Sequence, residues 1–155
     1  MTTKSRTEII NLLHKCAEIE RVLGKLYDLF AATFHENREI SRLFNKTAGE
    51  ERNHEYQIRL AIKSFSSAIE SMNITTDETD RHLALAMQTL DDVESAMPGI
   101  EEALKLSINL EATFSRFHMD TAAQFSDISC GKLFTAMMAA DGAHVAALEK
   151  ALAAL

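Results

Sequence analysis

The sequence predicts an all-α fold, a four-helix bundle built from two helical hairpins joined by a long crossover. Three observations lead there. The 155 residues include one proline, five glycines and no tryptophan, so helix punctuation is scarce, while the abundant Ala, Leu, Glu and Met lose little rotamer freedom in a helix. Apolar residues recur at helical spacing along most of the chain. One arrangement of acids, histidines and aromatics also occurs twice, as two copies of one hairpin would require.

Taken in order, Ser5 and Glu8 have the capping-box spacing, in which each satisfies a free backbone donor of the other's turn, and the first helix is predicted over 6–34. A second, over 37–65, carries Leu43, Phe44, Ala48, Ile58 and Ile62 on one side and pairs antiparallel with the first. Residues 66–98 break the regularity at Ser66, Ser67, Asn73, Thr75 and Thr76, then offer a shorter amphipathic piece with Leu83, Met87, Leu90 and Val93, which reads as the crossover. Pro98 and Gly99 close it, because proline is tolerated only near a helix start. The third helix is predicted over 99–124, and Ser126 to Ser129 supply caps for a fourth that runs almost to Leu155. A chain of this length at 46% hydrophobic is expected to form a single domain over 1–155.

Composition also excludes. The net charge of −7 argues against a nucleic-acid surface. Two cysteines, Cys16 and Cys130, provide neither a disulfide framework nor a four-cysteine metal site. The N-terminus lacks a signal-type apolar core and no apolar run approaches the length of a membrane span, so a cytoplasmic setting is expected.

The duplication carries the chemistry. Glu20 is followed 31 residues later by Glu51, with His54 three further on; Glu111 is followed 30 residues later by Asp141, with His144 three further on. Leu43 and Phe44 precede Glu51 as Leu133 and Phe134 precede Asp141, and Phe34 follows Glu20 at the distance at which Phe125 follows Glu111. Residues three apart share a helix face, so each acid-x-x-His unit points a carboxylate and an imidazole the same way. Each acid falls inside an apolar stripe: Glu20 among Leu13, Cys16, Ala17, Leu23, Tyr27, Phe30 and Phe34, Glu111 among Leu104, Ile108, Phe114 and Phe125, Glu51 among Phe44, Ala48 and Ile58, Asp141 among Phe134, Met138, Val145 and Leu148. Four buried carboxylates would cost several kcal/mol each if left uncompensated. Two divalent cations balance four negative charges, with His54 and His144 binding as neutral imidazoles. Carboxylate-rich sites with one histidine per metal suit iron, or manganese, better than zinc.

One glutamate on each of two helices and an acid-x-x-His on each of the other two is the motif of the ferritin-like di-iron carboxylate bundles, and the chain resembles a rubrerythrin-type member over nearly its whole length. Tyr27 seven residues after Glu20, and Leu43 and Phe44 ahead of Glu51 and His54, match that version. The resemblance implies two iron ions, Glu20 and Glu111 as terminal ligands, Glu51 and Asp141 as bridges, and His54 and His144 as one cap each. It implies a non-haem di-iron oxidoreductase that reduces hydrogen peroxide or dioxygen, a homodimer, and, since no rubredoxin-type cysteines are present, an external electron donor such as a rubredoxin-like protein. Iron handling without a second substrate, or a scaffold stabilised by metal, are the alternatives. Asp141 stands where the family usually has glutamate, and Phe114 where true rubrerythrins carry an additional one.

Tyr27 and its counterpart His118, each seven residues after a ligand glutamate, read as side chains that hydrogen-bond ligand carboxylates on neighbouring helices. His14, His35 and His82 lack acid partners and are expected to face solvent. Cys16 reads as a small buried hydrophobe and Met137 and Met138 as core packing. Leu83, Met87 and Leu90 are expected to be exposed and available for a dimer contact.

Overall fold

In a computed structural model, which describes residues 5–65, 76–122 and 128–155, the chain forms five α-helices and, among those residues, no strand. They are α1 (Arg6–Thr33), α2 (Arg38–Phe65), α3 (Thr76–Ser95), α4 (Ile100–Ala122) and α5 (Ile128–Ala153). The start of α1 is the capping box that the sequence predicts: the Glu8 backbone N–H donates to Ser5 Oγ at 3.3 Å, and the Ser5 N–H to Glu8 Oε2 at 2.6 Å. Asn37 opens α2 in a similar way, its side-chain oxygen accepting from the Ile40 N–H at 3.2 Å.

Three contacts set the direction of α2 on α1. Ser41 Oγ donates to the Ala31 carbonyl at 2.8 Å, Arg52 meets Asp28 at 2.5 Å and Arg59 meets Glu18 at 2.8 Å. Numbers rise along one helix as they fall along the other, so the pair is antiparallel. Helix α3 lies on α1, where Lys15 pairs with Asp80 at 2.5 Å; α4 packs on α5, and α5 on α2.

Helix α1 is the centre of the packing. Of its 28 residues, 14 are buried, because apolar side chains occupy more than one stripe and neighbours cover it from more than one side. Tyr27, Phe30, Phe34 and Phe44 form an aromatic group with centroid separations of 5.1 to 6.2 Å. Each large apolar side chain so buried contributes about 1.5–3 kcal/mol.

The crossover differs from its expectation. Its regular piece is a helix of 20 residues, and Leu83 and Leu90 are partly buried against the core rather than exposed. The large apolar residues that α3 presents to solvent are Leu85 and Met87. The shift follows from α3 turning its Leu83, Ala86, Leu90 and Val93 stripe inward. No described helix is long and apolar enough to cross a membrane.

Candidate metal centre

The four acids and two histidines of the duplicated pattern converge at one level of the bundle. Glu20 comes from α1, Glu51 and His54 from α2, Glu111 from α4, and Asp141 and His144 from α5, all of them buried. They fall into two groups whose ligand atoms lie within 4.8 Å of one another: Glu51, Glu111, Asp141 and His144 in one, Glu20, Glu51 and His54 in the other. Glu51 belongs to both. His54 Nδ1 stands 3.6 Å from Glu20 Oε2, 3.5 Å from Glu51 Oε2 and 4.0 Å from Asp141 Oδ1. His144 Nδ1 stands 3.3 Å from both Glu51 Oε1 and Glu111 Oε2. Both imidazoles therefore turn the same nitrogen inward, and their rings stack at 6.1 Å.

Local helix geometry explains why. Residues three apart on α2 and on α5 lie one above the other, and a helical side chain leans back over the preceding turn. Each histidine is thereby brought down onto the level of the acid before it.

The electrostatics are those of carboxyl groups crowded away from water. Burial, then the neighbouring Glu20, pushes Glu51 above the usual carboxylate range. Burial and the Glu51 charge raise Glu111 to about 7 against the opposing pull of His144 and Tyr27. Burial on its own would depress both imidazoles, yet Glu20 and Glu51 hold His54 up to about 10, and Glu111 and Glu51 hold His144 up to about 11. In the metal-free cluster the histidines are thus cations.

A cation suits this cluster. Glu51 Oε1 and His54 Nδ1 are buried and make no hydrogen bond among the described residues, which is costly for polar atoms unless a ligand completes them. Four carboxylates with two imidazoles form a hard, oxygen-rich donor set of the kind that iron or manganese takes. Buried Glu and His side chains here could hold a metal ion.

Tyr27 reaches across from α1 and donates its hydroxyl to Glu111 Oε1 at 2.5 Å. Burial first, then the charges of Glu111 and Glu51, push its phenol well above the ordinary tyrosine value, so it keeps its proton and remains a donor. The role read for His118 concerns a side chain outside the described residues, although its backbone lies on α4. Cys16, one turn before Glu20, is buried, and burial with the nearby Glu20 pushes its thiol up to about 12, so it packs as a hydrophobe. Met137 is a core residue.

Two side chains depart from the sequence reading. His82 is partly buried, its ring 4.7 Å from that of Phe117 and 5.6 Å from that of Phe114, with Nδ1 2.7 Å from the Glu78 carbonyl. It faces α4 rather than solvent, because α3 lies closer to the bundle than a loosely attached crossover would. Glu50 has no place in the duplicated pattern. Its Oε2 bonds His144 Nε2, the nitrogen turned away from the cluster. The available signal was the residue before each duplicated acid, Glu50 in one copy and Ala140 in the other.

No protein-family model, curated protein or solved structure matches the chain. What the residues imply about its class therefore rests on their pattern and their geometry.

Proposed function

We propose that the chain is a ferritin-like, rubrerythrin-type non-haem di-iron oxidoreductase that reduces hydrogen peroxide or dioxygen with electrons from an external donor, such as a rubredoxin-like protein. The observation that carries this reading is the convergence of all six duplicated residues into two groups that share Glu51. Glu20, Glu51 and His54 would hold one iron, and Glu51, Glu111, Asp141 and His144 the other. Asp141 also lies 4.0 Å from His54 Nδ1, which supports a place between the two. When bound, a pair of irons supplies together the two electrons that an O–O bond takes up.

The chain's own residues supply the rest. Tyr27 fixes Glu111 by its hydroxyl and keeps its proton there. Phe44, Phe114 and Phe134 are buried in the same core and keep bulk water out, so charges inside interact more strongly than at a surface. The Cys16 thiol, one turn before Glu20, stays protonated, so it supplies no thiolate beside the metal pair. The setting proposed is cytoplasmic, and the assembly a homodimer.

The test is metal analysis of protein purified without oxygen, followed by titration with peroxide in the presence of a reductant, with Glu51→Ala as control. Two irons per chain, lost in the variant, and peroxide consumed far beyond two equivalents support the reading. Consumption that stops at two equivalents would favour iron handling instead. Zinc content unaffected by the variant, or no metal, would leave the bundle a scaffold.

A further inference from the structure

We infer that Glu50 is a positioning residue for His144 and makes the two metal positions unequal, so that the one formed by Glu51, Glu111, Asp141 and His144 fills before the one formed by Glu20, Glu51 and His54. The inference rests on the metal-centre reading above. Its first support is the opposed use of the two His144 nitrogens. Nδ1 faces Glu51 and Glu111 at 3.3 Å, and Nε2 bonds Glu50. When a metal displaces the Nδ1 proton, Nε2–H would still donate to Glu50, so that the Nδ1 lone pair points into the cluster, the ring cannot turn, and the ligand nitrogen becomes more basic.

The second support is the failure of the duplication at this one point. Glu50 precedes Glu51 on α2 and reaches the histidine of α5; the residue that precedes Asp141 on α5, and would by the same relation reach the histidine of α2, is Ala140. Alanine has no acceptor to offer. The polar contacts of His54 among the described residues all run through Nδ1, so its tautomer and ring orientation lack the brace that His144 has. Third, the braced histidine belongs to the group with four donor residues, whereas His54 belongs to the group with three. Brace and donor count therefore favour the same position. Glu50 retains 36% side-chain exposure, which places the brace at the rim of the site, where its substitution leaves the core intact.

Cobalt(II) is the probe, titrated into the metal-stripped full chain and followed by calorimetry and by its visible d–d absorption. The wild type is expected to bind in two resolved steps. Glu50→Gln should weaken the tighter step by about 10- to 100-fold, leave the weaker one within about twofold, and retain the helical circular dichroism of the wild type. A His144→Ala background provides the discriminating control: there Glu50→Gln should change nothing, whereas a merely structural role for Glu50 would disturb the remaining position too. Equal weakening of both steps, no weakening of either, or the same loss in the His144→Ala background would overturn the proposal. A wild-type chain that takes up no cobalt would instead overturn the metal-centre reading on which it rests.

Discussion

The two helix pairs, α1–α2 and α4–α5, carry the same pattern of acids and histidines on unequal scaffolds. In the first, α1 buries half of its residues, meets α2 along an aromatic group, and is tied to it by the Arg52–Asp28 and Arg59–Glu18 pairs. In the second, α5 is rich in alanine, and its Ala136, Ala139, Ala143, Ala146 and Ala147 face outward; its described buried residues are Phe134, Met137, Asp141, His144 and Leu148. Acids and histidines thus make up a larger share of the described residues that α5 buries than of those that α1 buries. The first pair is held by an extensive apolar core, whereas α5 buries few apolar side chains among its described residues.

That contrast is open to several tests. The largest effect is expected from pH on the metal-free protein. Both imidazoles hold their protons more tightly folded than unfolded, so the stability they contribute is complete below pH 6.5, declines above it, and is gone once pH passes about 10 for His54 and about 11 for His144. Glu111, raised from 4.5 to about 7, adds a loss in the same direction across that lower window. Denaturant midpoints of metal-free protein should fall as pH rises. Because a divalent cation replaces those protons, the gap between metal-bound and metal-free midpoints should widen from about pH 6 to 8; a constant gap would remove the histidines from the site.

Core truncation should come next. Phe44→Ala removes a ring that stacks or tilts against Tyr27, Phe30 and Phe34, and a cost of about 3–5 kcal/mol is expected. Met137→Ala in α5 should cost about 2–3 kcal/mol, since a flexible thioether leaves a site that can collapse. Equal losses by chemical denaturation would erase the proposed inequality of the two hairpins. A smaller change is expected from Tyr27→Phe, which takes a donor from the buried Glu111 Oε1 and should cost about 1–3 kcal/mol. The smallest is a gain. A Cβ at Gly24 would meet Ala48 O, Arg52 Cγ and Glu51 Cβ at 3.7 Å, ordinary contact, so Gly24→Ala should stabilise α1 by about 0.5–1 kcal/mol. Destabilisation there would mean that the α1–α2 interface is tighter than its geometry shows.

How much of this was legible beforehand depends on whether the signal lies along the chain or between helices. The capping box at Ser5 and Glu8, the breaks near Phe34 and Pro98, and the helix type follow from local chemistry, and the helix limits fall within two or three residues of their predicted places. The six converging residues were legible because an acid in an apolar stripe is costly, and because its recurrence at one spacing singles it out from surface acids. Glu50 was not legible, since an acid beside a candidate ligand on the rim of a helix looks like any solvated charge until α5 is packed against α2. His82, Leu83 and Leu90 were misjudged for a related reason. Their surroundings depend on how closely α3 approaches the bundle, and no local pattern states that distance.

The bond from Tyr27 to Glu111 has a practical consequence. The chain has no tryptophan and two tyrosines, of which Tyr56 is 65% exposed and Tyr27 fully buried. Tyrosine absorption and emission therefore come from one phenol in water and one seated against the buried Glu111 carboxylate. Replacing Tyr56 with phenylalanine would silence the first and leave a single phenol whose spectrum follows the charge on Glu111, so that binding of a cation there, as proposed, could be timed without any added dye.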